Sequence, residues 1–141
     1  MQRKASAVWH GDLKTGKGSV STASGVLKDT QYSFSTRFEN GIGTNPEELI
    51  AAAHAGCFAM AFSAELGKEG FTPTSIRATA TVMLEKTDAG WTVTESDLEM
   101  TAKIPNIDQA KFTAIANAAK AGCPISRLLN AKVTLDATLE A

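Results

Sequence analysis

Apolar residues recur along the chain at two spacings, and the change from one to the other marks out strands and helices. Ser6–Trp9 reads as a short strand, followed by a Gly/Lys turn at Gly11–Gly18. Ser19–Thr22 and Gly25–Leu27 are weakly β-like, with Gly25 suggesting a turn or bulge. In Tyr32–Phe38 the side with Tyr32, Phe34, Thr36 and Phe38 alternates with Ser33, Ser35 and Arg37, the pattern of a half-buried strand with Arg37 on its polar face. Thr74–Lys86 alternates Ile76, Ala78, Ala80, Val82 and Leu84 against polar neighbours. Asp88-Ala89-Gly90 then predicts a turn, and Trp91–Ile104 its hairpin partner. The apolar phase of that partner slips near Glu95–Asp97, which predicts a bulge. Asp108 caps a helix over Gln109–Ala121 that Gly122 stops. Cys123-Pro124 opens a short helix to Leu129, and Lys132–Leu139 alternates as a last strand.

Thr44–Phe62 obeys neither simple pattern. Two helix starts are possible: Thr44 as N-cap with Glu47 at N3, or Asn45 as N-cap with Pro46 at N1 and Glu48 at N3. The helix should run to about Gly67, with Gly67 or Gly70 ending it. After Glu48 it is apolar on nearly every face, so it must be buried all round by its own domain or by a second chain. Ala51, Ala52, Ala53, Ala55, Gly56, Ala59 and Ala61 leave little side chain to hold a neighbour away.

The element order is strands, long helix, hairpin, two helices and a last strand, and 141 residues predict a single domain over 1–141. Fourteen basic and 15 acidic residues are scattered to a net charge of −1, with no basic block for nucleic acid. Met1–Lys14 has no apolar run behind its basic residues, so no secretory leader is expected. The longest apolar stretch is broken by His54, Ser63 and Glu65 and is expected to fall short of a membrane span. A cytoplasmic protein follows. Its two cysteines, Cys57 and Cys123, would there be free, or joined only transiently in catalysis or redox sensing.

Cys57 can be read as a small buried hydrophobe or as a nucleophile. Nucleophilic work needs a thiolate, and an apolar helix middle disfavours one unless a cation is near. Arg37 is the candidate cation, and Glu47 could hold its guanidinium bidentately while also serving the helix start. Glu47 and Cys57 are ten positions apart, about 15 Å along a helix and some 80° around it. One Arg37 is therefore not expected to touch both within one straight helix. Two such helices crossing about a two-fold axis would bring Glu47 of one chain to Cys57 of the other, which predicts a homodimer with composite sites. Cys123, at a helix start, has the dipole that Cys57 lacks, although a structural role explains its position as well. His54 lies three positions before Cys57, but a metal site would need further ligands and His10 is the only other histidine. The glycines of Gly11–Gly18 lack the strand and helix of a phosphate loop.

Gly43–Phe58, with its Asn-Pro-Glu and Cys-Phe, together with Lys120-Ala-Gly-Cys-Pro-Ile-Ser and Gly11-Asp-Leu-Lys-Thr-Gly-Lys-Gly, resembles the osmotically inducible and organic-hydroperoxide-resistance (OsmC/Ohr) family. Thr36–Glu39 resembles the OsmC branch, since the Ohr branch takes its arginine from the N-terminal segment, where this chain has only Lys14 and Lys17. The resemblance implies an intertwined α+β homodimer of antiparallel sheets around long central helices, with active sites at the interface. It places the peroxidatic cysteine on Cys57, the resolving cysteine on Cys123, the activating arginine on Arg37 and its carboxylate on Glu47. It further implies metal-free, cofactor-free reduction of organic hydroperoxides, with hydrogen peroxide a second candidate. The chemistry would run through a Cys57 sulfenic acid and a Cys57–Cys123 disulfide reopened by an external dithiol, a lipoyl group being one candidate. The alternative is a dimeric module that binds a small apolar ligand and whose cysteines are structural.

Overall fold

The computed structural model describes residues 1–141, which form two compact units, Met1–Leu49 and Ile50–Ala141. The first unit is built on β1 (Ala5–His10), β2 (Lys17–Thr22) and β3 (Thr30–Tyr32), an antiparallel sheet in the order β1-β2-β3. Gly18 pairs with Trp9 on one side and Tyr32 on the other, and the two rings lie 5.5 Å apart over it. A Cβ there would come within 2.5 Å of Tyr32 and 2.6 Å of Trp9, so only glycine lets these rings close over the strand. Gly25–Leu27 is a bend closed by the Thr22 N–H donating to the Leu27 carbonyl, not a strand.

Tyr32–Phe38 is corrected more substantially. The strand ends at Tyr32, and Phe34–Phe38 is a helical turn, α1. Ser33 is its N-cap: the Ser33 hydroxyl accepts from the Thr36 N–H, and the Thr36 hydroxyl accepts from the Ser33 N–H. This reciprocal capping box satisfies two backbone donors locally, and a two-residue alternation cannot compete with it. Phe34 and Phe38 then meet at i and i+4, with ring centroids 4.9 Å apart.

The long helix α2 (Pro46–Lys68) spans the boundary between the units. Of its two possible starts, the Asn45 one is adopted. Asn45 Oδ1 accepts from the Glu48 N–H at 2.7 Å, while Glu48 itself accepts from the Thr44 hydroxyl. Gly70, at φ +83°, ends it through the Phe71 N–H to the Leu66 carbonyl and the Gly70 N–H to the Gly67 carbonyl. Its buried residues, His54, Phe58, Phe62 and Leu66, form a single i, i+4 row. Within the chain, burial covers one face and leaves Ala52, Ala53, Gly56 and Met60 exposed, so of the two covers expected for this helix its own domain supplies only part. The 23 residues of α2 are also long and apolar enough to cross a membrane, so the expected shortfall does not hold on length and composition. Its aromatic row sits instead in the core of the second unit.

That unit carries β4 (Ser75–Thr87), β5 (Gly90–Lys103) and β6 (Lys132–Glu140), with β5 in the middle. The expected hairpin forms around Asp88 and Ala89, and its register shifts where Met83 faces Glu95 but Leu84 faces Val93. Thr94 is the extra residue, beside the bulge expected at Glu95–Asp97. The sheet is mixed, not purely antiparallel: β6 runs parallel to β5, because the crossover through α3 (Gln109–Gly122) and α4 (Pro124–Leu128) returns the chain in the same direction. Asp108 caps α3 by accepting from the Lys111 N–H at 2.7 Å. Phe58, Phe62 and Leu66 pack with Leu98, Met100 and Ala102 of β5 and with Phe112, Ile115, Ala116 and Ala119 of α3. Phe62 meets Phe112 edge to face at 5.7 Å.

Candidate active site

In the second unit, α2 presents Cys57 one position before the core residue Phe58, and Cys123 lies between α3 and α4. Cys123 ends one helix, its N–H donating to the Ala119 carbonyl, and starts the next, with Pro124 in the first turn. Both cysteines are free thiols, and their sulfurs lie 2.8 Å apart. Cys123 is fully buried, whereas Cys57 keeps partial access to solvent. Burial pushes the Cys57 thiol above its ordinary pKa, and the neighbouring Cys123 sulfur pushes the same way; the Ile125 N–H in the first turn of α4 opposes both by favouring the thiolate. None of these influences is a basic side chain.

In the first unit the candidate cation and its carboxylate meet. The Arg37 Nε donates to both Glu47 oxygens at 3.1 Å, and Nη2 donates to Oε1 at 2.7 Å. This fork fixes the plane of the guanidinium, which also lies over the Phe38 ring at 5.3 Å. The turn of α1 that replaced the expected strand carries Arg37 in its last turn, and the start of α2 carries Glu47. The four residues singled out from the sequence thus come together as two pairs, Cys57 with Cys123 and Arg37 with Glu47.

One constellation was missed. His54, fully buried, shares hydrogen bonds with the Ser96 hydroxyl through Nδ1 at 2.7 Å and with the Ser126 hydroxyl through Nε2 at 2.8 Å. Burial holds its pKa below the ordinary histidine value, which favours the neutral ring. The available signal was spacing: His54 precedes Cys57 by three, and Ser126 follows Cys123 by three. No group of three His, Cys, Asp or Glu side chains gathers as a metal site.

Two free thiols in contact, on an α+β scaffold with a separate forked arginine–carboxylate pair, define a dithiol redox protein. Residues 38–138 match the OsmC-like protein family, a span that holds Glu47 and both cysteines and begins one residue after Arg37. The chain is 54% identical over 140 residues to Peroxiredoxin OsmC of Escherichia coli (strain K12), covering 99% of this chain and 98% of that one. It is 26% identical over 124 residues to Organic hydroperoxide resistance protein OhrB of Bacillus subtilis (strain 168), covering 87% and 89%. The fold matches the solved structure of an OsmC-like protein of unknown function from Vibrio cholerae with a TM-score of 0.78 at 16% identity, over 97% of this chain and 99% of that one. This chain belongs to the OsmC family, on its OsmC branch.

Proposed function

We propose that the chain is a thiol-dependent peroxidase that reduces organic hydroperoxides, with Cys57 as the attacking and Cys123 as the resolving cysteine. The observation that carries the assignment is the 2.8 Å approach of two free sulfurs, one partly open and one closed. The Cys57 thiolate attacks the terminal peroxide oxygen, the O–O bond breaks, and the alkoxide leaves as alcohol after taking a proton. Cys57 is left as a sulfenic acid. The Cys123 sulfur displaces its hydroxyl, which departs as water with the Cys123 proton, and a disulfide remains. An external dithiol, a lipoyl group among the candidates, reopens it by exchange and is itself oxidised.

Activation of Cys57 calls for a cation that its own surroundings do not provide. In the dimer proposed here, the Arg37–Glu47 pair of one copy faces Cys57 of the other. Two features support that reading: the exposed Ala53, Gly56 and Met60 face of α2, and the absence of any fully buried apolar side chain in Met1–Leu49. A reducing, cytoplasmic setting suits two unjoined thiols.

The test is a free-thiol titration after one equivalent of cumene hydroperoxide. Loss of both thiols without growth of oligomers is the expected result. Two unreacted thiols would return the molecule to an apolar-ligand module with structural cysteines. Undiminished peroxide consumption by a Cys57→Ser variant would defeat the mechanism. Light scattering at micromolar concentration checks the dimer, which a monomer mass would rule out.

A further inference from the structure

We infer that His54 is a positioning residue for disulfide formation, holding the segment that carries Cys123 in register with Cys57. The inference rests on the peroxidase reading above and goes beyond it. On α2, His54 and Cys57 are separated by three positions, so both lie on one side of the helix. Across the start of α4, Cys123 and Ser126 have the same separation. The four side chains meet as two rungs: sulfur to sulfur at 2.8 Å, and His54 Nε2 to the Ser126 hydroxyl at 2.8 Å.

The second rung has a fixed end and a loose end. His54 is anchored through Nδ1 to Ser96, in the central strand β5, where Ser96 pairs with Val82 of β4 and Val133 of β6. Ser126 belongs to α4, a five-residue helix that buries no side chain of its own and has no side-chain cap. Leu128 of that helix is largely exposed. So short a helix does not persist on its own hydrogen bonds; Ile125 packs partly on the core, and a tether to a rigid strand adds a directed restraint on the turn that Cys123 opens. Each serine hydroxyl can donate or accept, so a neutral His54 satisfies both bonds in either tautomer.

The step that needs this register is condensation: the Cys57 S–O bond breaks, the Cys57–Cys123 S–S bond forms, and water leaves with the Cys123 proton. Its rate depends on how often the Cys123 sulfur lies in line behind the S–O bond. Peroxide attack needs only Cys57 as a thiolate, whose formation the Ile125 N–H favours and the Cys123 sulfur opposes; it needs no alignment of Cys123 behind an S–O bond.

Two variants loosen the rung. Ser126→Ala removes its far end, and His54→Asn keeps an amide near the Nδ1 position but cannot reach Ser126. His54→Gln extends an amide to the Nε2 position and serves as the rescue. After one equivalent of peroxide, dimedone trapping follows the Cys57 sulfenic acid and loss of the Cys123 thiol follows condensation. Ser126→Ala and His54→Asn are expected to prolong the sulfenic acid about ten-fold, the loss of roughly one hydrogen bond's worth of alignment. Oxidation of Cys57 should stay within about three-fold of the unsubstituted rate on the same reasoning. His54→Gln should restore most of the condensation rate. Condensation by Ser126→Ala as fast as in the unsubstituted protein would overturn the inference. So would equal slowing in His54→Gln and His54→Asn, since that reports packing and not the tether. If the unsubstituted protein forms no disulfide with peroxide, the peroxidase reading fails instead. Diamide-driven closure of the same disulfide then still reads the tether, and Ser126→Ala must slow it.

Discussion

The two units of this chain differ in what holds them, and the difference parallels a division of chemistry. Every fully buried apolar side chain belongs to Ile50–Ala141, where three aromatic rings and a mixed sheet build the core that includes Cys123 and that Cys57 packs against. Met1–Leu49 buries only Gly18 and Thr36, and relies on a three-stranded sheet, two rings over a glycine and a capping box. A three-stranded sheet of that size has little stability without a covered face. The two sulfurs therefore sit in the part of the chain that carries its own core. The arginine–carboxylate pair sits in the part that needs cover, which under the dimer proposal a second copy provides.

Several substitutions test that contrast. The largest effect is expected from Phe62→Ala, which should lose about 3–5 kcal/mol in urea unfolding, because Phe62 is stacked with Phe58 and meets Phe112 edge-on. Val20→Ala, on the half-buried middle strand of the first sheet, should cost only about 1 kcal/mol. Equal costs would remove the contrast. Arg37→Ala should slow peroxide reduction about 10- to 100-fold and move the iodoacetamide reactivity of Cys57 to higher pH, with Glu47→Ala acting in the same direction more weakly. An unchanged pH profile would assign activation to another group.

Acid provides a third test. Because the folded protein holds His54 below its ordinary pKa of 6.5, the unfolded chain binds the proton first as pH falls. Stability from this site is complete above about 6.5 and declines as pH drops from there toward the folded value. His54→Gln should flatten that decline in urea midpoints compared at pH 7.5 and 5.5, at about one unit either side of the transition. The smallest effect is expected at Gly56, where an added Cβ meets nothing within 4 Å in the chain. Gly56→Ala should stabilise by about 0.5–1 kcal/mol through helix propensity, and a loss of stability would place a tightly packed neighbour at that spot.

Much of this was legible in the sequence wherever the signal was local or repeated. The Asp88–Gly90 turn, a bulge in β5, the Asp108 cap and a helix end at Gly67 or Gly70 all follow from a few adjacent residues. Tyr32–Phe38 was misread because alternation registers apolar spacing and is blind to Ser33 and Thr36 capping each other. The direction of β6 was illegible for a similar reason: alternating Val133, Leu135, Ala137 and Leu139 suits a parallel or an antiparallel neighbour equally. Cys57, Cys123, Arg37 and Glu47 could be picked out by type and motif. For the histidine tether the sequence offered only the repeated three-residue spacing of His54 to Cys57 and Cys123 to Ser126, and nothing local joins positions 42 and 72 apart.

The unequal exposure of the two sulfurs also bears on how the oxidised enzyme is reset. A thiolate arriving from solvent can approach Cys57, while Cys123 is sealed in the core. Exchange proceeds at the sulfur that can be reached in line, so under the proposed mechanism the incoming group would bond to Cys57 and expel Cys123 as the leaving group. The transient mixed disulfide would then be carried on the atom proposed to meet the peroxide. Entry of oxidant and entry of reductant would share one door, each waiting for the other to leave.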